Sequence, residues 1–206
     1  MTAGERPFDA LLIDLDGVLR VWDPSVTVEL ERRYEVPEGT LYRTAFEPDL
    51  LHRAVVGELS DDEWRRTVAA ALLPTYGIEV AADLVADWSE PLGSVDDDVR
   101  ALVARVREAG VTIVLTSNAT TRLESELDAL DLTDLLDVVV SSARLRVAKP
   151  EPTFYFAAAQ MAGVEVDRCL FVDDEAINVD VARAVGMQAH VYVGLDDLEE
   201  TLAPVL

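Results

Sequence analysis

A small set of polar residues stands out by type and spacing. Asp14 and Asp16 sit in Asp14-Leu15-Asp16-Gly17-Val18, directly after an apolar run. Ser117 and Asn118 follow a second such run, Lys149-Pro150 lies beyond a third, and Asp173-Asp174 with Asn178 close a fourth. Taken singly, each is ordinary. An Asp after a strand commonly serves a turn, and a Ser-Asn pair before a helix commonly caps it. Taken together in one cleft, the four carboxylates would repel one another and take up protons unless a cation neutralised them. Oxygen donors without Cys or His point to Mg²⁺ rather than zinc. A carboxylate nucleophile, a second carboxyl group, a divalent cation, a lysine and hydroxyl or amide donors suit phosphoryl transfer.

These residues meet only if the apolar runs are neighbouring strands. Residues 8–15 (FDALLIDL), 111–116 (VTIVLT), 136–140 (LDVVV), 169–172 (CLFV) and 189–193 read as buried strands. Between the later ones lie helical patterns at 122–130, 153–162 and 177–185, the last two stopped by Gly163 and Gly186. A further helix is expected at 195–202. Strands alternating with helices predict an α/β fold, a doubly wound parallel sheet with helices on both faces. Ligands in such sheets bind beyond the carboxyl ends of the strands.

Residues 23–91 differ, with apolar residues at three- and four-residue spacing and a capping-box pattern at Ser60-Asp61-Asp62-Glu63. The expected organisation is a Rossmann-like core of residues 1–20 and 93–206, with an inserted α-helical cap at 21–92. In the cap, Trp22, Arg43, His52, Arg53 and Trp64 are candidates for touching a substrate. His52 also suits a solvated helix face, and Trp64 suits a core. His190 reads as edge-strand packing, and Cys169 as an inert buried thiol.

The chain has 206 residues, with 17 Lys and Arg against 40 Asp and Glu, and a net charge of −23. That charge argues against nucleic acid and anionic membranes as partners. It also opposes an anionic substrate, so a local cation must reverse the sign at the site. One cysteine forms no internal disulfide and suits a reducing compartment. Residues 1–7 are short and polar, and apolar stretches such as 69–74 fall far below the roughly 20 residues that span a bilayer. A cytoplasmic protein acting on a small molecule, as monomer or homodimer, is the expectation.

The residues also carry a resemblance. Asp14-Leu-Asp-Gly-Val18 resembles the first motif, DxDG[TV], of the haloacid dehalogenase-like hydrolase superfamily. Ser117-Asn118 is similar to its second motif, and Lys149-Pro150 in AKPEPTFY to its third. Phe171-Val-Asp-Asp174 with Asn178, followed by ARAVGM at 182–187, is similar to its fourth. The resemblance covers nearly the whole chain and implies the branch whose helical cap follows the first strand. It implies a Mg²⁺-dependent phosphatase acting on a small phosphate ester through an aspartyl-phosphate on Asp14. Asp16 would protonate the leaving alcohol and later deprotonate water, and its carbonyl would bind Mg²⁺. Ser117 and the backbone near Asn118 would hold phosphoryl oxygens, and Lys149 would offset charge. Asp174 would complete the metal shell, with Asp173 ligating directly or through water, and Asn178 would orient them. True dehalogenases of the superfamily lack the second acidic residue of the first motif, so Asp16 favours a phosphatase. Asn178 stands where many relatives carry Asp, which leaves one fewer charge at the metal. A mutase passing the phosphoryl group to a sugar hydroxyl is the alternative, and a non-catalytic binding protein a weaker one.

Overall fold

The computed structural model describes residues 6–206. The polar segment 1–7 and the start of the expected core range 1–20 lie outside the described residues as far as residue 5. The chain opens with β1 (Ala10–Ile13) and turns tightly into β2 (Arg20–Val21). It then runs through α1 (Pro24–Arg33), α2 (Thr40–Ala45), α3 (Pro48–Val55), α4 (Asp61–Tyr76) and α5 (Ile78–Ser89). It returns along β3 (Ser94–Val95), antiparallel to β2. There follow α6 (Asp97–Glu108), β4 (Thr112–Ser117), α7 (Leu123–Ala129), β5 (Val138–Ser141), α8 (Ser142–Leu145) and α9 (Pro152–Ala162). The chain ends with β6 (Cys169–Asp173), α10 (Ala176–Ala184), β7 (Gln188–Val191) and α11 (Leu195–Leu202).

Five of these strands form one parallel sheet in the order β5-β4-β1-β6-β7. β1 is apolar throughout because both its faces are covered. Leu11 and Ile13 pack with Val99, Leu102 and Val106 of α6, Leu127 of α7 and Leu198 of α11. Ala10 and Leu12 pack on the other face with Phe154 and Tyr155 of α9 and Val179 of α10. The expected α/β class is therefore the observed one. From β1 the chain winds outward to β4 and β5, then crosses back to β6 and β7. The order reverses between β1 and β6, and a ligand crevice opens at such a point.

The helices α1 to α5 enclose their own apolar cluster, which includes Leu41, Trp64, Val68 and Leu84. Trp64 and Trp88 meet edge to face with ring centres 5.4 Å apart. The capping box at the start of α4 is present: Ser60 accepts from the Glu63 amide and the Glu63 carboxylate accepts from the Ser60 amide. The short helix α2 was not resolved within the general helical pattern. Its N-terminus is satisfied from a distance, with the buried Glu31 carboxylate accepting from the Gly39 and Leu41 amides at 2.7 Å each. The β2–β3 ribbon was not anticipated either, since two-residue strands are too short to show a period. No helix of the described residues is long and apolar enough to cross a membrane.

Candidate active site

The four predicted sets converge. A cavity of about 320 Å³ is lined by Asp14, Asp16, Ser117, Asn118, Lys149, Asp174 and Asn178, together with Gly17 and Glu175. Asp173 lies fully buried beneath them. A larger open groove of about 700 Å³ lies along α6 beside Asp134 and Asp137, and none of the predicted residues lines it.

Asp14 directly follows β1, and its amide bonds the Val172 carbonyl at 2.9 Å, so the sheet itself sets the residue's position. The chain must then turn at once. Gly17 takes φ +83, and a Cβ there would fall 2.2 Å from Asp174 Oδ2. No side chain fits at 17, so the turn brings backbone against the Asp174 carboxylate.

Lys149 is the hub. Its side chain is 1% exposed, and Nζ lies 2.9 Å from Asp14 Oδ1, 2.6 Å from Asp173 Oδ2 and 3.1 Å from the Thr116 carbonyl. Asn118 fixes the backbone of Lys149 at both ends: its Nδ2 donates to the Lys149 carbonyl and its Oδ1 accepts from the Lys149 amide, each at 2.8 Å. The sequence points to Asn118 as a phosphoryl-binding position and gives no sign of this clamp. The two residues are 31 positions apart, and nothing local signals the pairing. Ser117, also buried, faces the cavity from the end of β4.

Asp173 has both oxygens engaged. Oδ2 accepts from Lys149, and Oδ1 accepts from Asn178 Nδ2 and the Glu175 amide at 2.9 Å each. Asn178 is itself held by α9, since Tyr155 donates its hydroxyl to the Asn178 carbonyl at 2.9 Å. Asn178 thus supports Asp173.

The electrostatics follow from the crowding. Burial pushes the Asp14 carboxyl up to about 7; Lys149 opposes the rise and the charge of Asp173 adds to it. Burial alone would lower the Lys149 ammonium, but Asp14 and Asp173 outweigh it and hold it above its usual value. Asp174 is raised by burial and by its neighbours Asp173 and Glu175. The donor set fits a hard divalent cation. Ligand oxygens from Asp14, Asp173 and Asp174 lie within 4.8 Å of one another. Mg²⁺ bonds of about 2.1 Å set ligand oxygens at most about 4.2 Å apart, so small side-chain rotations suffice.

Asp16 departs from the expected grouping. It borders the cavity but is not part of the three-carboxylate cluster. Its oxygens accept from Arg20 and from the Trp22 indole instead. Arg20, buried and missed in the sequence, is therefore part of the surroundings of the site. Of the candidates in the helical segment, Trp22 alone meets a cavity-lining residue this way. Arg43, His52 and Arg53 are exposed, and Trp64 is buried with its indole donating to the Ala45 carbonyl at 3.0 Å. His190 is half-buried on the edge strand β7, 2.5 Å from Asp197. Cys169 is buried, and burial pushes its thiol up to about 11.

The chain is similar to several known proteins. "Phosphatase MT3486" of Mycobacterium tuberculosis (strain CDC 1551 / Oshkosh) is 41% identical over 96 residues, a match spanning 46% of this chain and 44% of that protein. Hexitol phosphatase B of Escherichia coli (strain K12) is 26% identical over 200 residues, 90% of this chain and 84% of that protein. A crystal structure of the HAD family enzyme bt-2542 from Bacteroides thetaiotaomicron, in complex with magnesium and inorganic phosphate, superposes with a TM-score of 0.76. It is 20% identical and covers 94% of this chain and 98% of that one, a likeness of fold. A family model for haloacid dehalogenase-like hydrolases matches residues 8–186. With the strand-end residues gathered where the sheet order reverses and the match running over most of its length, the chain belongs to the haloacid dehalogenase-like hydrolases.

Proposed function

We propose that this hydrolase is a Mg²⁺-dependent phosphatase that cleaves a small phosphate monoester through an aspartyl-phosphate on Asp14. The observation that carries the reading is the buried Lys149 ammonium bridging Asp14 and Asp173, with Asp174 close enough to share an ion. Lys149 occupies Asp14 Oδ1 and leaves Oδ2 for attack on phosphorus. Its fixed charge offsets the anion that arrives, in a low-dielectric pocket where such a charge counts most. Ser117 and the backbone around Asn118 hold the phosphoryl oxygens. Asp16 protonates the leaving alcohol and then takes a proton from the water that hydrolyses the acyl phosphate. Asp14, Asp174 and the Asp16 carbonyl would hold the ion, and Asp173, its oxygens engaged by Lys149, Asn178 and the Glu175 amide, would reach it through water. The bound Mg²⁺ would supply positive charge against the phosphoryl oxygens and keep Asp14 ionised. Residues 21–92 form the cap and choose the leaving group. The "phosphatase" in the names of both curated relatives supports the reading.

The test is phosphate release from 4-nitrophenyl phosphate and a panel of phosphorylated metabolites, with and without Mg²⁺, alongside Asp14→Asn. The reading expects Mg²⁺-dependent release in wild type and none in the variant. Equal inertness of both across the panel defeats it.

A further inference from the structure

Three donors hold the Asp16 carboxylate. Arg20 Nε reaches Oδ1 at 2.7 Å and Arg20 Nη2 reaches Oδ2 at 3.0 Å, a two-point grip, and Trp22 Nε1 donates to Oδ1 at 2.6 Å. Arg20 is itself anchored. Its side chain is 4% exposed, its Nη1 bonds Glu126 Oε2 of α7 at 2.7 Å, and its guanidinium carbon lies 4.7 Å from the centre of the Trp22 ring. Both Asp16 oxygens are thus taken up by donors other than those of Asp14, Arg20 on both and Trp22 on one. Arg20 also opens β2, where it pairs with Val95 of β3. That ribbon is one of the routes by which α1–α5 join the sheet, so the grip on Asp16 is built into the connection.

We infer that Arg20 and Trp22 form a holding station for Asp16, and that Arg20 is a positioning residue acting on the reaction through it. The inference rests on the reading of Asp16 as acid and base. Held, the Asp16 side chain is turned to Arg20 and Trp22 and stays outside the cluster around Asp14. Released, it reaches the ester oxygen and delivers there a proton drawn from solvent as the P–O bond breaks and the bond from Asp14 to phosphorus forms. It is left as a carboxylate, ready to accept the proton of the attacking water. A leaving group that departs as a stable anion, such as 4-nitrophenolate, does not need that proton, whereas an alkoxide does. The station therefore slows alkyl esters selectively.

The test compares kcat/KM for β-glycerophosphate and 4-nitrophenyl phosphate, at saturating Mg²⁺, in wild type, Trp22→Phe, Arg20→Lys and Asp16→Asn. Trp22→Phe keeps a ring over Arg20 and removes one donor from a residue that is 45% exposed, so folding is not at stake. It is expected to raise the alkyl-to-aryl ratio by about threefold to tenfold, the net weight of one ordinary, solvent-exposed hydrogen bond. Arg20→Lys keeps a charge toward Glu126 but loses the two-point grip, and raises the ratio further. Asp16→Asn is expected to lower the ratio by roughly 10²–10⁴. An unchanged or lowered ratio in either Trp22→Phe or Arg20→Lys overturns the holding station. An unchanged ratio in Asp16→Asn removes the acid–base role beneath it. An Asp14→Asn protein as active as wild type removes the phosphatase reading itself.

Discussion

The ends of β1 and β6 and the helical segment α1–α5 are built on opposite terms. At the strand ends, Asp14, Lys149 and Asp173 are buried charges locked to one another and to the sheet. In the helical segment the core is apolar and aromatic, around Leu84, Trp64 and Trp88, and most polar groups face solvent or cap helices. The first arrangement is costly to build and rigid, which is what positions a nucleophile. The second is held chiefly by apolar burial, with hydrogen bonds at its helix ends, and tolerates variation in its surface. Substitutions at the strand ends should therefore reach activity, whereas those in the helical segment should reach stability alone.

The largest effect expected is on chemistry. Asp14→Asn should reduce phosphate release from 4-nitrophenyl phosphate by about 10⁴-fold or more, since in the proposed mechanism it removes the attacking carboxylate. Its unfolding midpoint in urea without metal should not fall, because the variant also removes a crowded buried charge. A fall in stability alongside lost activity would blur the contrast between the two regions.

Lys149→Met leaves Asp14 and Asp173 buried together without their cation and should cost about 3–5 kcal/mol in urea unfolding as well as abolishing activity. Leu84→Ala, in the core of the helical segment, should cost about 2–5 kcal/mol by the cavity it opens. Its kcat/KM for 4-nitrophenyl phosphate, measured where the protein remains folded, should stay within a few-fold of wild type. If Leu84→Ala silences the enzyme while still folded, the regions are not separable.

Metal and pH sharpen the same contrast. The Asp14 pKa, about 7 when folded, lies above its unfolded value near 4, so the metal-free native state holds an extra proton between those pH values. Its contribution to stability is therefore lost as pH rises through that window. The raised Lys149 pKa acts in the same direction only above its ordinary range, so it adds nothing to the change near neutrality. Mg²⁺ favours the ionised Asp14, so the rise in Tm on adding it should be larger near pH 8 than near pH 5.5 by thermal scanning fluorimetry. An equal rise at both would place the cation elsewhere.

The smallest effect belongs to the surface of the helical segment. Ser60→Ala removes one side of the capping box at the start of α4 and should cost about 1 kcal/mol, with no change in activity.

Much of this was legible in the sequence, and unevenly. The strand expected at 169–172 and the helix at 195–202 emerge as Cys169–Asp173 and Leu195–Leu202, because continuous apolar runs and three-to-four spacing report burial directly. The joint occurrence of acidic, hydroxyl and lysine residues at strand ends located the cavity. Asn118 could not be read the same way, since its side chain serves a backbone 31 residues on. Arg20 carries no local signal, yet it is buried against Glu126 from 106 positions away.

By itself, the sequence determined which segments are buried and which polar groups end them, because periodicity and turn residues are local consequences of the backbone's geometry. Only the tertiary structure decided which charge each polar group meets: Lys149 between Asp14 and Asp173, Asn118 on the Lys149 backbone, and Asp16 in the grip of Arg20 and Trp22. A long polar side chain has many possible partners along the chain, and packing selects among them.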